Sequence, residues 1–214
     1  MTNDLANLRR DYALAQLDEY SVALDPIDQF NQWMNDARHA ELPEPNAMTL
    51  ATVDANSQPQ ARVLLLKEVS AKGFVFYTNY TSAKGQELDQ NPRATMVFLW
   101  LELERQVRIN GRVSKLSGAE ADDYFASRPR SSQLGALASQ QSQVVANRAE
   151  LDERYAALER EYHNRPIPRP AYWGGYRLQP DLLEFWQGRR SRLHDRLRYR
   201  LNSEGGWRLE RLQP

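Results

Sequence analysis

Between residues 48 and 116 the chain spells out five β-type runs, and the connections between them leave few folds open. The runs are 48–53, 60–69, 74–79, 94–101 and 105–116, each rich in β-branched and aromatic residues. Their joints are ANSQP (55–59), AKG (71–73) and the three residues 102–104, all short and turn-forming. Parallel neighbours need a crossover of roughly a dozen residues, so these joints demand antiparallel pairing. Only residues 82–91, SAKGQELDQN, read as a helix, capped by Ser82 and stopped before Pro92. Many neighbouring strands with a single helical crossing favour a small closed or half-closed barrel over a doubly wound sheet.

Helices flank this β region. Asp25-Pro26 followed by Ile27, Phe30, Trp33, Met34 and Ala37 predicts a helix to about residue 40, with Asp as N-cap and Pro at the first position. Residues 118–162 change to helical periodicity in three pieces, and the last places Leu151, Tyr155, Leu158 and Tyr162 on one face. A proline-rich connector, HNRPIPRPAY, leads to a second β region of four runs, WGGYRLQ, LLEFWQG, LHDRLRYRL and WRLERL, with SEGG (203–206) as a hairpin turn. Ahead of all this, residues 4–19 space Leu5, Leu8, Tyr12 and Ala15 for a short amphipathic helix or a lid. A length of 214 residues predicts one domain, 1–214, with an arm at 1–20, a helical segment at 118–162 and C-terminal strands at 173–214.

Composition narrows the function. Lys+Arg 28 against Asp+Glu 28 leaves a formal net charge of +0, so no global field recruits nucleic acid or an anionic membrane. Cys 0 removes disulfides, thiolate nucleophiles and cysteine metal sites together, which fits a reducing, cytoplasmic setting. No stretch approaches the ~20 apolar residues of a membrane-spanning helix. His39, His163 and His194 lie far apart without metal-ligand spacing, and no phosphate loop, GxGxxG or GxSxG is present.

What remains is a set of groups competent to hold anions. Residues 184–196, EFWQGRRSRLHDR, concentrate a Trp, four arginines and a His-Asp pair; arginine forks match phosphate and carboxylate oxygens and stack on flat rings. Thr78, Ser82 and Lys84 lie where a strand passes into a helix, whose start collects N–H donors suited to a phosphate. Tyr124, Arg128, Arg130 and Ser132 form a second cluster at a helix end and the next helix start. Taken singly, each of these cations reads as an ordinary surface residue, and His194 as a structural hydrogen-bonder. Arg62 and Lys67 are an odd number of residues apart, so a regular strand would point them to opposite faces. Both reach one ligand only if the strand bends or ends between them.

Taken together, RVLLLK (62–67), FYTNYTSAKG (76–85), LERQVRINGR (103–112), YFASRPRSSQLGA (124–136), SQQS (139–142), YWGGYRL (172–178) and EFWQGRRSRLHDR (184–196) resemble, in order and spacing, the pyridoxine/pyridoxamine 5'-phosphate oxidases. The resemblance runs from LRRDY (8–12) to the final WRLERLQP. It implies an FMN-binding split β-barrel surrounded by helices, mainly β with α, working as a homodimer with FMN in clefts at the subunit interface. The implied reaction converts pyridoxine or pyridoxamine 5'-phosphate to pyridoxal 5'-phosphate, passing a hydride to the flavin and electrons on to oxygen, with hydrogen peroxide as product.

Residue by residue, the resemblance assigns FMN to Arg62, Val63, Leu64, Leu65, Leu66, Lys67, Tyr77, Thr78, Lys84, Gln106, Gln141, Ser142, Trp186 and Arg196. The substrate phosphate falls to Lys67, Tyr124, Arg128 and Ser132, and the substrate ring to the catalytic pair Arg192 and His194. Arg9 and Tyr12 match an arm that closes over the substrate. Two departures stand out: Ala83 precedes Lys84 where the family often has Arg, removing one flavin-phosphate contact, and Arg189 and Arg190 make the 188–191 tract unusually basic. Glu44 keeps a carboxylate where some members carry Asp. Rival readings are another flavin-dependent oxidoreductase on the same fold, or a non-catalytic flavin or vitamin-phosphate binder.

Overall fold

In the computed structural model, which describes Asn7 and residues 11–214, the strands linked by short joints lie side by side in the sheet, and the pair joined at 71–73 is antiparallel. The elements in chain order are α1 (Pro26–His39), β1 (Ala47–Val53), β2 (Pro59–Leu65), β3 (Glu68–Ser70), β4 (Gly73–Asn79), α2 (Ala83–Gln90), β5 (Arg93–Trp100) and β6 (Arg105–Lys115). Then follow α3 (Gly118–Ser127), α4 (Arg130–Ala138), α5 (Arg148–Glu161), β7 (Trp173–Gln187), β8 (Asp195–Leu201) and β9 (Trp207–Arg211). No helix among the described residues is long and apolar enough to cross a membrane.

The chain divides into two compact units, and β1, β5, β6 and β7 each contribute residues to both. The first unit takes residues up to Thr49 together with Thr95–Gly111 and Pro180–Pro214. Its strands run β5-β6-β7-β8-β9, with Trp186 opposite Arg196 and Gln187 opposite Asp195 where β7 meets β8. Helix α1 starts as its sequence dictates: the Asp25 side chain accepts the Ile27 N–H at 2.7 Å, and Pro26 follows. Its apolar stripe is buried, with Phe30 edge-on to Phe98 at 5.0 Å and Trp33 edge-on to Phe185 at 5.2 Å.

The second unit takes Leu50–Ala94 and Arg112–Gln179. Here β4 is buried except at half-buried Tyr77 and lies between β3 and β7, with Tyr77 opposite Gly175 and Thr78 opposite Gly174. Gly175 is required at that position, because a Cβ there would come within 2.8 Å of the Tyr77 ring and 2.5 Å of Leu116. Helix α2 is capped by Ser82, and α3 by a reciprocal box of Ser117 and Glu120.

Four expectations need correction. The run 60–69 is two strands: the chain leaves β2 at Leu65, the Lys67 N–H donates to Val75 O at 2.8 Å, and β3 then pairs with β4. Lys67 therefore lies past the end of β2, which removes the parity conflict with Arg62. The runs WGGYRLQ and LLEFWQG are one fifteen-residue strand, β7, continuous through Pro180. The run beginning at Leu193 starts instead at Asp195, after a 3-10 turn at Arg190–Arg192. Of the expected helix or lid at 4–19, residues 11–19 are not helical, because the N–H groups of Ala13, Leu14 and Leu17 go to carboxylates of Glu104 and Asp195 rather than to preceding carbonyls. Arg9 lies outside the described residues.

Candidate active site

In the second unit, the ends of β2 and β4 and the junction of α3 with α4 enclose a cavity of about 570 Å³. Lys67, Tyr124, Arg128 and Ser132 all line it, together with Tyr77 and Thr78. One wall is a pile of rings: Tyr77 stacks on Tyr124 at 3.8 Å and on Trp173 at 5.5 Å. Burial raises the Tyr77 hydroxyl to about 12, and nearby Glu68 adds to the effect. Burial also raises Tyr124, against the opposing charge of Arg128, so both phenols are neutral donors at physiological pH.

Arg128 is the feature that this cavity leaves unresolved. Its guanidinium lies 4.6 Å over the Trp173 ring and 5.7 Å from that of Phe125, and its Nη1 is buried without any hydrogen-bond partner among the described residues. Burial lowers its pKa, although the charge of Tyr124 opposes this. A buried donor left unmade costs about 1–3 kcal/mol. Such a cation facing a cavity beside a lysine, two phenols and a helix-start serine is arranged for an anionic ligand with several oxygens.

A second cationic group lies at the start of α2. Lys84 is only 7% exposed, and its Nζ reaches Gln141 Oε1 at 3.0 Å and Ser82 Oγ at 3.4 Å, both uncharged oxygens. Thr78 Oγ1 donates to the same Gln141 oxygen at 3.0 Å. Burial lowers the Lys84 pKa, repulsion from Arg62 lowers it further, and Glu87 opposes both. Arg62 differs: it is bonded to Glu87 Oε2 at 2.8 Å and to Thr52 Oγ1, so its charge is already balanced. Val63, Leu64 and Leu65 line the cavity, Leu66 is buried, and Ser142 holds a left-handed φ of 72° in an exposed turn. Ala83 is exposed, as is Glu44.

The first unit gathers the aromatic and basic residues of 184–196. The His194 ring lies 4.6 Å from Trp186, and Tyr12 meets both edge-on, at 5.8 Å from His194 and 5.7 Å from Trp186. The backbone N–H of Arg189 donates to His194 Nδ1 at 3.1 Å. A backbone amide only donates, so Nδ1 is the unprotonated nitrogen and neutral His194 carries its hydrogen on Nε2. Burial lowers the His194 pKa, the positive charge of Arg192 lowers it further, and Asp195 opposes them. Arg192 is exposed; it and Ser191 hold left-handed φ angles of 60° and 57° in the 3-10 turn, a strained conformation for residues with side chains.

Below that turn, buried Glu184 bridges two arginines: its Oε1 accepts from Arg196 Nε at 2.8 Å, and its Oε2 pairs with Arg108. Burial pushes the Glu184 carboxyl up, but the bonds from the two arginines prevail and hold it below the usual carboxylate range. Arg196 thus reaches its place on a fixed anchor. Gln106 is half-buried on β6, on the face opposite Val107 and Ile109.

The residues expected on the substrate phosphate are thus brought together in one cavity, and Thr78, Lys84 and Gln141 in one hydrogen-bonded cluster. Tyr12, Trp186 and His194 form a third group. Sequence reasoning missed two contributors. Arg189 acts through its main-chain N–H, which no side-chain pattern reports, and its guanidinium reaches Gln16 Oε1 at 3.2 Å and Ala15 O at 3.5 Å. Glu104 accepts the N–H groups of Ala13 and Leu14, and its only signal in the sequence is a place in a short joint between strands.

Comparison with known proteins adds an independent line. The family profile described as pyridoxamine 5'-phosphate oxidase matches residues 34–159, and that of the pyridoxine 5'-phosphate oxidase C-terminal dimerisation region matches residues 173–214. A pyridoxine/pyridoxamine 5'-phosphate oxidase of Acaryochloris marina is 61% identical over 98% of this chain and 95% of its own length. One from Trichormus variabilis is 53% identical over 100% of both chains. Among solved structures, PhzG of Burkholderia lata in complex with tetrahydrophenazine-1-carboxylic acid aligns with a TM-score of 0.88 at 32% identity, covering 94% of this chain and 98% of that one. An FMN binding protein of Nostoc punctiforme, related to pyridoxamine 5'-phosphate oxidase, aligns with a TM-score of 0.71 at 18% identity over 90% of this chain and 99% of that one, a likeness of fold.

Proposed function

Since the chain belongs to the pyridoxamine 5'-phosphate oxidase family, with its split-barrel fold, and is an oxidoreductase, we propose that it oxidises pyridoxine or pyridoxamine 5'-phosphate to pyridoxal 5'-phosphate. FMN is the proposed cofactor and oxygen the acceptor, with hydrogen peroxide as product and a homodimer as the working form. The single observation that carries the substrate class is the buried, unpartnered Nη1 of Arg128 in a cavity lined by Lys67, Tyr124 and Ser132.

The donor set fits both phosphorylated ligands. Lys84, which among the described residues is bonded to uncharged oxygens, supplies a cation for the flavin phosphate, with Thr78 and Gln141 as neutral partners. Trp186, Gln106 and Arg196 are the proposed flavin contacts of the first unit. When bound, FMN supplies the ring that takes the hydride and returns the electrons to oxygen. The protein's own work is binding and orientation. Arg128, Lys67, Tyr124 and Ser132 hold the substrate phosphate, so the ring is delivered in one register.

His194, neutral and with its hydrogen on Nε2, donates a hydrogen bond to a polar atom of the substrate ring without bringing a second positive charge. Arg192 supplies that charge instead, from a turn whose left-handed backbone fixes where its side chain starts. Tyr12, against both His194 and Trp186, excludes water from that edge of the site. No covalent protein intermediate is involved.

The test is direct: record the visible spectrum of the purified protein, add pyridoxine 5'-phosphate in air, and follow pyridoxal 5'-phosphate and peroxide. Both should appear in equal amounts. Arg192→Ala and His194→Ala should each lower turnover by about an order of magnitude or more with flavin still bound. A yellow protein that leaves pyridoxine 5'-phosphate untouched would overturn the reading. Preference for a tetrahydrophenazine carboxylate, the ligand of the PhzG neighbour, would replace it.

A further inference from the structure

We propose that Glu104 is a positioning residue, which acts through the N-terminal arm to hold Tyr12 against His194 and Trp186. This rests on the reading of Tyr12 and His194 as substrate contacts. Glu104 occupies a left-handed backbone position, φ 54°, just after the 3-10 turn that joins β5 to β6, and it is 3% exposed. Its Oε2 accepts two consecutive amides of the arm, Ala13 N–H at 2.8 Å and Leu14 N–H at 3.0 Å. Its main-chain carbonyl accepts the Gly188 N–H at 2.7 Å and Gln187 Nε2 at 3.2 Å. One residue therefore fastens both the arm that carries Tyr12 and the turn that leads to His194.

Packing at Gly188 shows how closely these parts are fitted. A Cβ there would lie 2.7 Å from Tyr12 Cβ, 2.8 Å from Tyr12 Cγ and 2.9 Å from Glu104 Cβ. No larger residue fits there without a shift, so the Tyr12 and Glu104 side chains both pack directly against the Gly188 backbone. The ring of Tyr12, half-buried, lies edge-on against Trp186 and His194. From the other side, Arg189 reaches Ala15 O and Gln16 Oε1 with its side chain, while its N–H fixes His194 Nδ1. Arm and imidazole thus share two fasteners. Both are charged, but the Glu104 carboxylate holds two arm amides at 2.8 and 3.0 Å, closer than the 3.2 and 3.5 Å contacts of the Arg189 guanidinium.

The test combines amide exchange with kinetics. In the wild-type holoenzyme the amides of Ala13 and Leu14 should exchange slowly; in Glu104→Ala they should exchange at least about tenfold faster. The KM for pyridoxine 5'-phosphate should rise by about tenfold while kcat changes far less, because the arm closes over bound substrate and does not perform the chemistry. Glu104→Gln keeps an acceptor oxygen without the charge and should fall between wild type and Glu104→Ala in both measurements. Tyr12→Ala should raise KM similarly, and the double variant should be no worse than Tyr12→Ala alone, since one acts through the other.

Wild-type exchange in Glu104→Ala, or additive effects in the double variant, overturns the proposal. If Glu104→Ala does not fold, exchange in Glu104→Gln decides the matter, and unchanged rates at Ala13 and Leu14 overturn it. The exchange measurement needs no substrate, so loss of the latch and failure of the functional reading are told apart.

Discussion

Replacing Arg128 by Ala should weaken the substrate phosphate strongly while barely changing the stability of the unliganded protein. The two halves of this expectation come from the same atom. In the structure Nη1 of Arg128 is buried and unpartnered, so the folded protein bears a desolvation cost of about 1–3 kcal/mol that a bound anion would relieve. Against that, the guanidinium gains about 0.5–1 kcal/mol from its place 4.6 Å over Trp173. Truncation removes both, and the net change is on the order of 1 kcal/mol in either direction. For a chain of this size that corresponds to a melting shift of about 2–4 °C. The bound state loses a charge-assisted hydrogen bond worth about 1.5–3 kcal/mol, which is about 10- to 100-fold in KM. Unphosphorylated pyridoxine, which lacks the anion, should be used equally well by both proteins. Arg128→Lys should recover only part of the loss, because an ammonium cannot present a planar fork. A melting point lowered by more than about 10 °C with KM unchanged would refute the reasoning, since Arg128 would then be a structural cation.

Two further predictions follow from the other charged groups. Lys84→Met should weaken FMN binding, measured by quenching of flavin fluorescence; in the wild type, affinity should fall as pH rises through the lowered Lys84 pKa, below the 10.5 of an ordinary lysine, as the ammonium loses its proton. His194 has a folded pKa below 6.5, so it is neutral at pH 7, and kcat/KM should fall on acidification through that lowered value; Arg192→Ala removes a charge that depresses it, so the acid limb should move upward in pH. The same shift makes a small contribution to stability that is present above pH 6.5 and lost as pH falls toward the folded pKa, because the unfolded chain binds the proton more readily.

How much of this could be read beforehand differs from element to element, for physical reasons. Helix α1 was legible because its signals are local: an Asp cap, a Pro at the first position and a buried stripe at helical spacing. The end of β2 was not, because VLLL carries no Gly or Pro and the break is set by where Lys67 N–H finds Val75 O. Pro180 misled in the opposite direction, since proline usually ends a strand by removing a donor. Along β7, pairing with β4 ends at Leu178 and pairing with β8 begins at Leu182, so Pro180 falls in the gap between these two partners. The residues that line the proposed phosphate cavity could be picked out as types at strand and helix ends. The main-chain contributions of Arg189 and Glu104 could not, because every residue has an N–H and a carbonyl, and only the fold decides which of them matter.

The two cations near α2 differ in how readily each could turn to the proposed flavin phosphate. Arg62 and Lys84 are both within reach of Glu87's field, but Arg62 holds Glu87 Oε2 at 2.8 Å together with Thr52, so moving it to a ligand would strand a carboxylate that is only 7% exposed. Removing one partner of a buried pair costs about 3–5 kcal/mol, more than a single phosphate contact returns. Lys84 has no such debt: among the described residues its Nζ meets only Ser82 and Gln141 oxygens. If FMN binds as proposed, Lys84 is therefore the more readily available cation for its phosphate, while Arg62 keeps Glu87 from competing for Lys84. Exposed Ala83 adds no charge, so if FMN binds as proposed its affinity should depend on the protonation of Lys84 and on the Glu87–Arg62 pair beside it.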